Sequence, residues 1–258
     1  MTRVPVLFSV LALASLAAAQ EPVTPKPAER PAQDPKALAM LEKLDSLLYV
    51  PRAVGLKDLE FTSKLPNGFQ LLVRWKEPDR VRAELVVPPD APAAVKKQLE
   101  LVKPRFEDEA RKYAPSFAAT QIGEVLRDKY KDDEITLVAP NQVKIVARSE
   151  VSKASFKEHT LTFNDQGLGT QVKVVAPNGV ENTIEPTYVE LKGKRVYGSI
   201  KTKFGKEETV VTFEHVEAGD FLFVKKMTTT AAKGGAPQAL EYEGFKANSG
   251  LDDKVFEK

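Results

Sequence analysis

Cysteine is absent from all 258 residues of the chain. No disulfide can staple the fold, so a chain of this length has to rely on a hydrophobic core. The same absence removes the lipidated cysteine that would tether an exported chain to a membrane, and it removes thiolate chemistry. Histidine is nearly absent too: only His159 and His215 occur. Each has a glutamate beside it, Glu158 and Glu214, and a strand would turn that glutamate to the opposite face, so neither is expected to ligate a metal or act as a base. Net charge is small, with 38 Lys and Arg against 36 Asp and Glu, which gives no reason to expect nucleic acid as a partner. Catalytic and cofactor motifs are missing as well: no Gly-x-Ser-x-Gly, no His-Glu-x-x-His, no phosphate loop and no dinucleotide fingerprint. The acidic runs Glu107-Asp108-Glu109 and Asp132-Asp133-Glu134 adjoin Lys and Arg and read as solvated faces rather than a hydrolytic carboxylate pair. The expectation is a non-enzymatic protein without metal or cofactor.

One apolar run stands at the start. Val6 to Ala19 follows Arg3 and ends in Leu16-Ala17-Ala18-Ala19, which reads as a secretory signal over residues 1–20 with an Ala-x-Ala cleavage site. It is too short for a spanning helix, and no later stretch approaches the ~20 apolar residues one needs. The chain is therefore expected to be periplasmic or secreted, soluble after cleavage and monomeric. Residues 21–34 carry Pro22, Pro25, Pro27 and Pro31 among charges, a composition that favours an extended tether. A single domain is expected over residues 35–258.

Within that domain Asp34 can cap a helix and Pro35 can occupy its first turn, with Leu38, Leu41, Leu44 and Leu48 at three- and four-residue steps before Pro51. The period then changes to two. Phe69, Leu71, Val73 and Trp75 alternate against Gln70, Arg74 and Lys76; after Glu77-Pro78-Asp79, Val81, Ala83, Leu85 and Val87 alternate against Arg80, Arg82 and Glu84. This is a hairpin with one greasy and one charged face, from an antiparallel sheet wet on one side only. A helical block follows over about residues 92–130, where Val95, Leu99 and Val102 make a stripe, Pro104 should break or kink the helix, and Pro115 should begin another segment. Strand patterning resumes to the C-terminus, with turns at Asn164-Asp165-Gln166-Gly167, Pro177-Asn178-Gly179 and Gly219-Asp220 among others. The expected fold is mainly β, of α+β class: one antiparallel sheet of about eight to eleven strands with helices on one face.

The functional question is what covers the greasy face. Trp75 is the sole tryptophan and lies on that face, either as a core aromatic or as the lining of an apolar cavity. The same two readings apply to Val196 and Ile200, Val211 and Phe213, and Phe221 and Phe223, each taken as a pair sharing one face. The candidate lining is therefore Phe69, Leu71, Val73, Trp75, Val81, Leu85, Val196, Ile200, Val211, Phe213, Phe221 and Phe223, with Val95, Leu99 and Val102 as a lid.

Taken in order, the signal, the helix from Lys36 to Tyr49, the hairpin from Leu72 to Glu84, the late Tyr242-Glu243-Gly244-Phe245-Lys246-Ala247 strand and the closing Asn248 to Phe256 resemble the LolA-like family of outer-membrane lipoprotein-sorting proteins. The resemblance implies a curved, incomplete antiparallel barrel whose concave apolar face is lidded by helices and receives acyl chains. It implies a lipid or an acylated protein as partner. A rival reading on the same fold fills the core and binds another envelope protein through a sheet edge or the helical block, and a third, lesser reading is a hydrolase using carboxylates that no motif marks. The family's Asp-Gly and aromatic-rich strand after the hairpin is missing here; the block at 92–130 stands in its place.

Overall fold

The computed structural model describes residues 31–64, 70–87, 92–231 and 234–257, without the side chains of 94, 95, 98, 99, 102, 104–111 and 113. The signal and most of the tether lie outside the described residues. Twelve strands form one antiparallel sheet in the order β3-β2-β1-β12-β11-β10-β9-β8-β7-β6-β5-β4. They are β1 Asp58–Lys64, β2 Gln70–Lys76, β3 Arg80–Val86, β4 Glu134–Ala139, β5 Gln142–Val146, β6 Glu158–Phe163, β7 Gly169–Val175, β8 Glu181–Leu191, β9 Lys194–Phe204, β10 Glu207–Ala218, β11 Phe221–Ala231 and β12 Gln238–Ala247. Among the described residues four α-helices accompany them: α1 Pro35–Leu47, α2 Ala93–Ile122, α3 Leu126–Lys129 and α4 Glu150–Ser155. The sheet is not closed into a barrel, since β3 and β4 end the order. The strand count exceeds the expected range by one.

The contacts gather into two compact units, and β10 and β11 contribute to both. The first comprises the described residues up to Val50, Glu124–Thr212 and Thr229–Ala236. Its order begins before α1. Gln33 forms a parallel bridge with Ile135, and its amide donates to the carbonyls of Tyr130, Lys131 and Asp133, which covers the outer edge of β4. Asp34 then caps α1 by accepting from the amides of Lys36 and Ala37, with Pro35 in the first turn as the sequence predicts.

The apolar face of α1, Ala37, Leu41 and Leu44, fills the core of this unit against Ile135, Val143, Ile145, Leu161, Phe163 and Val174. Strand register explains why those residues meet. Leu137, Val143, Leu161, Val172 and Ile184 stand opposite one another in successive strands, so period-two alternation delivers a continuous apolar row to the helix. Between α3 and β6, Tyr130, Phe156 and His159 pack their rings together, with the Tyr130 hydroxyl 2.9 Å from His159 Nδ1 and the Phe156 and His159 rings stacked at 3.8 Å. The buried Asp133 carboxylate accepts from the Arg148 and Ser149 amides and from Ser152 Oγ, fixing the start of α4. The β8–β9 hairpin turns on Lys192 and Gly193, both at positive φ, the pairing that a two-residue turn of the right twist requires.

The second unit comprises Pro51–Gly123, Phe213–Thr228 and Pro237–Lys258. Here α2 lies against β2 and β3. It is one continuous helix of 30 residues, so Pro104 does not break it and, contrary to the sequence expectation, Pro115 does not begin another segment. Each proline removes one amide donor while the remaining ladder continues on either side. Gly123, at φ 69°, stops the helix.

Candidate functional site: the apolar face of the second unit

The hairpin forms in the register its alternation predicts. Leu71 faces Leu85, Val73 faces Ala83 and Trp75 faces Val81; on the other side β1 sets Phe61 opposite Val73 and Leu59 opposite Trp75. Leu59, Phe61, Val73 and Trp75 are fully buried. Every second residue thus points to the face covered by α2, and the intervening ones point away.

The opposite face is charged and internally paired. Arg74 donates to Glu60 at 2.7 Å and to Glu84 at 2.9 Å, Lys246 reaches Glu60 at 2.8 Å, and Arg82 reaches Glu84 at 2.6 Å. Burial alone would raise the Glu60 and Glu84 carboxyls, but the cations outweigh it and hold both below the usual carboxylate range. The C-terminal segment closes over one end of this charged face. Asp253 takes Lys76 and Arg80, the Val255 carbonyl accepts from Arg82 at 2.7 Å, and the Arg80 guanidinium lies 5.4 Å from the Phe256 ring. Asp58 anchors the segment from the other side through the Ser249 and Gly250 amides, while Asn248, at φ 51°, bonds Lys57 and Gly55.

The apolar face extends beyond the hairpin as a chain of rings. Phe61 packs edge-on against Tyr242 and stacks on Phe245, each with ring centres 5.8 Å apart; Phe245 stacks on Phe223 at 4.9 Å, and Phe223 adjoins Phe221 at 6.0 Å. The predicted residues Leu71, Val73, Trp75, Val81, Leu85, Phe221 and Phe223 therefore all lie in this unit, and Phe61, Tyr242 and Phe245 link the hairpin to β11. The linking rings escaped the sequence reading because β1 and β12 are far apart in the chain, Ser63 pairing with Tyr242 and Leu59 with Ala247. Phe213 is half-buried in the same unit, with no ring partner among the described residues.

Other candidates fall elsewhere. Val196, Ile200 and Val211 belong to the first unit. Ile200 is paired with Pro186 and Val211, but a register shift at Thr187/Tyr188 leaves Gly198 without a partner, so Tyr197 stands opposite Tyr188 and Val196 opposite Val189. One extra residue reverses the alternation, and the shared face predicted for Val196 and Ile200 is lost. Phe69 lies outside the described residues, as do the side chains of the lid candidates Val95, Leu99 and Val102, although all three positions are in α2.

The described stripe of α2 lies later: Ala114, Phe117, Ala118, Gln121 and Ile122 are buried at helical spacing. Gln121 was missed because a glutamine reads as a surface residue, yet its amide accepts from the Val224 N–H at 2.9 Å and donates to the Val224 carbonyl at 3.1 Å. It does for Val224 what a neighbouring strand would do.

Two polar atoms on the apolar face have no partner among the described residues: the Trp75 indole Nε1 and Ser63 Oγ, both on buried side chains. The Arg52 guanidinium sits 5.8 Å from the Trp75 ring centre and is itself bonded to Asp79 and to the Pro78 carbonyl. Among the described residues no group of three or more His, Asp or Glu could hold a metal ion, and no helix is long and apolar enough to cross a membrane. What this arrangement offers chemically is apolar surface with two buried donors, Trp75 Nε1 and Ser63 Oγ.

No protein-family model and no curated protein matches the chain. Solved structures do. A LolA superfamily protein from Nitrosomonas europaea shares 12% identity over 86% of this chain and 97% of its own, with a TM-score of 0.34. A domain described as an outer membrane lipoprotein-sorting protein from Vibrio parahaemolyticus shares 10% over 86% and 96%, at 0.35. A DUF1329 family protein from Desulfovibrio piger shares 8% over 86% and 96%, at 0.33.

Proposed function

We propose that the chain is an exported, non-enzymatic carrier that holds a lipid or a lipoprotein acyl chain in the cell envelope, against the apolar face of the second unit. The observation that carries this reading is the contrast between the two faces of one sheet. One face is an ion-paired surface. The other is aliphatic and aromatic, from Leu85 through Trp75 and Phe61 to Phe221, and a single helix covers it. Burial supplies the driving force: at ~0.8 kcal/mol per methylene, a sixteen-carbon chain contributes on the order of 10 kcal/mol before entropy costs.

The signal-like start and the sequence resemblance support the compartment and the ligand class. Native mass spectrometry of the protein purified from an envelope extract tests the reading. A co-purifying lipid that is released by organic solvent is the expected result. A folded protein that carries no lipid and binds no fluorescent fatty acid would replace the carrier with the filled-core interaction module.

A further inference from the structure

We infer that Trp75 is a specificity-determining residue of this face, selecting ligands with a carbonyl oxygen over plain hydrocarbons; the inference rests on the carrier reading above. Trp75 is fully buried and its Nε1 has no hydrogen-bond partner among the described residues. An indole N–H can only donate, so no rotation or exchange of roles relieves it, and buried donors are almost always satisfied. Phenylalanine or leucine would line an apolar face without this cost. The nitrogen is therefore a feature that packing alone does not require, and no described residue supplies the acceptor it needs; the carbonyl of a bound ligand would supply it.

The surroundings define that acceptor. Leu59, Val73 and Val81 flank Trp75 in the sheet and provide no oxygen from their side chains. Ser63, the other unpartnered donor of this face, stands opposite Leu71 while Trp75 stands opposite Leu59, four residues away along β1. At ~3.3 Å per residue that spacing is roughly 13 Å, so one oxygen cannot serve both. A serine hydroxyl can turn to another acceptor; the indole cannot. Arg52, about one-third exposed, lies over the indole ring. The polar end of an amphiphile placed at Trp75 therefore meets the Arg52–Asp79 ion pair at the rim, while its chain runs along the apolar strip toward Ser63. The ligand class is an acyl ester, acyl amide or fatty acid whose carbonyl accepts from Nε1.

Because Trp75 is the only tryptophan, growth of a tryptophan auxotroph on 3-benzothienylalanine replaces that one indole N–H by sulfur with little change of shape. Methyl laurate and tetradecane are then compared as competitors of a bound fluorescent fatty acid, in the replaced and unreplaced proteins. The expected result is that replacement weakens methyl laurate by roughly five- to tenfold and leaves tetradecane unchanged. Equal binding of methyl laurate by both proteins would overturn the role of Trp75 while leaving the carrier intact. Absence of fluorescent fatty acid binding in the unreplaced protein would overturn both.

Discussion

The carboxamide of Gln121 brackets the backbone of Val224, accepting its N–H at 2.9 Å and donating to its carbonyl at 3.1 Å in a buried setting. Replacing Gln121 by Leu strands both backbone groups. At ~1–3 kcal/mol for each buried group left without a partner, the loss should be about 2–5 kcal/mol, read as a lower urea midpoint with unchanged slope. Substitution by Glu should also destabilise, since a carboxylate cannot donate to the carbonyl and adds a buried charge. A midpoint within error of the parent for Gln121→Leu would show that Val224 finds another partner.

Trp75 fluorescence should report on ligand entry. The buried indole should emit at short wavelength and resist acrylamide, and a long-chain fatty acid should shift its emission saturably. A filled, unyielding core predicts no shift with any lipid class in a protein shown to be folded.

His159 gives the pH dependence a sign. Burial, and secondarily the charge of Lys129, push its pKa down to about 3 from the usual 6.5. The imidazole is therefore neutral when folded, whereas the unfolded chain takes up a proton below about 6.5, so stability falls as pH drops from there toward 3 at up to ~1.4 kcal/mol per unit. The Glu60 and Glu84 carboxyls, held low by their cations, add a second loss that sets in below the ordinary carboxylate range. Urea titrations at pH 7 and pH 5 should show His159→Gln losing less stability between them than the parent, by roughly 2 kcal/mol. An identical pH slope in the variant would remove His159 as the source.

Asp58 should hold the C-terminal segment. Its carboxylate accepts the Ser249 and Gly250 amides and Ser249 Oγ. In Asp58→Ala those amides should exchange hydrogen at least tenfold faster, and residues after Asn248 should become open to carboxypeptidase, while β2 and β3 keep their protection. Unchanged exchange at Ser249 would show that the Asp253 ion pairs suffice.

Export makes a prediction about the chain's ends. N-terminal sequencing of the mature protein should start near Gln20 or Glu21, and osmotic shock should release it without detergent. Recovery with Met1 intact, or only in detergent, would contradict the periplasmic or secreted placement.

Local chemistry was legible wherever neighbours in sequence are also neighbours in space. Asp34 and Pro35 announced α1, and the alternation of Leu71, Val73 and Trp75 against Arg74 and Lys76 fixed both the hairpin register and its two faces, because a two-residue period admits one register with the apolar set on one side. The lack of cysteine excluded disulfides and thiolate chemistry by composition alone. Long-range pairing was not legible. Nothing local says that Phe61 meets Phe245, that Gly198 drops out of the β8–β9 register and separates Val196 from Ile200, or that a glutamine on α2 completes the backbone of β11. Each depends on which strands adjoin and where a single residue is left over, and both are decided by closing loops and packing the whole core at once rather than by the preferences of any one segment.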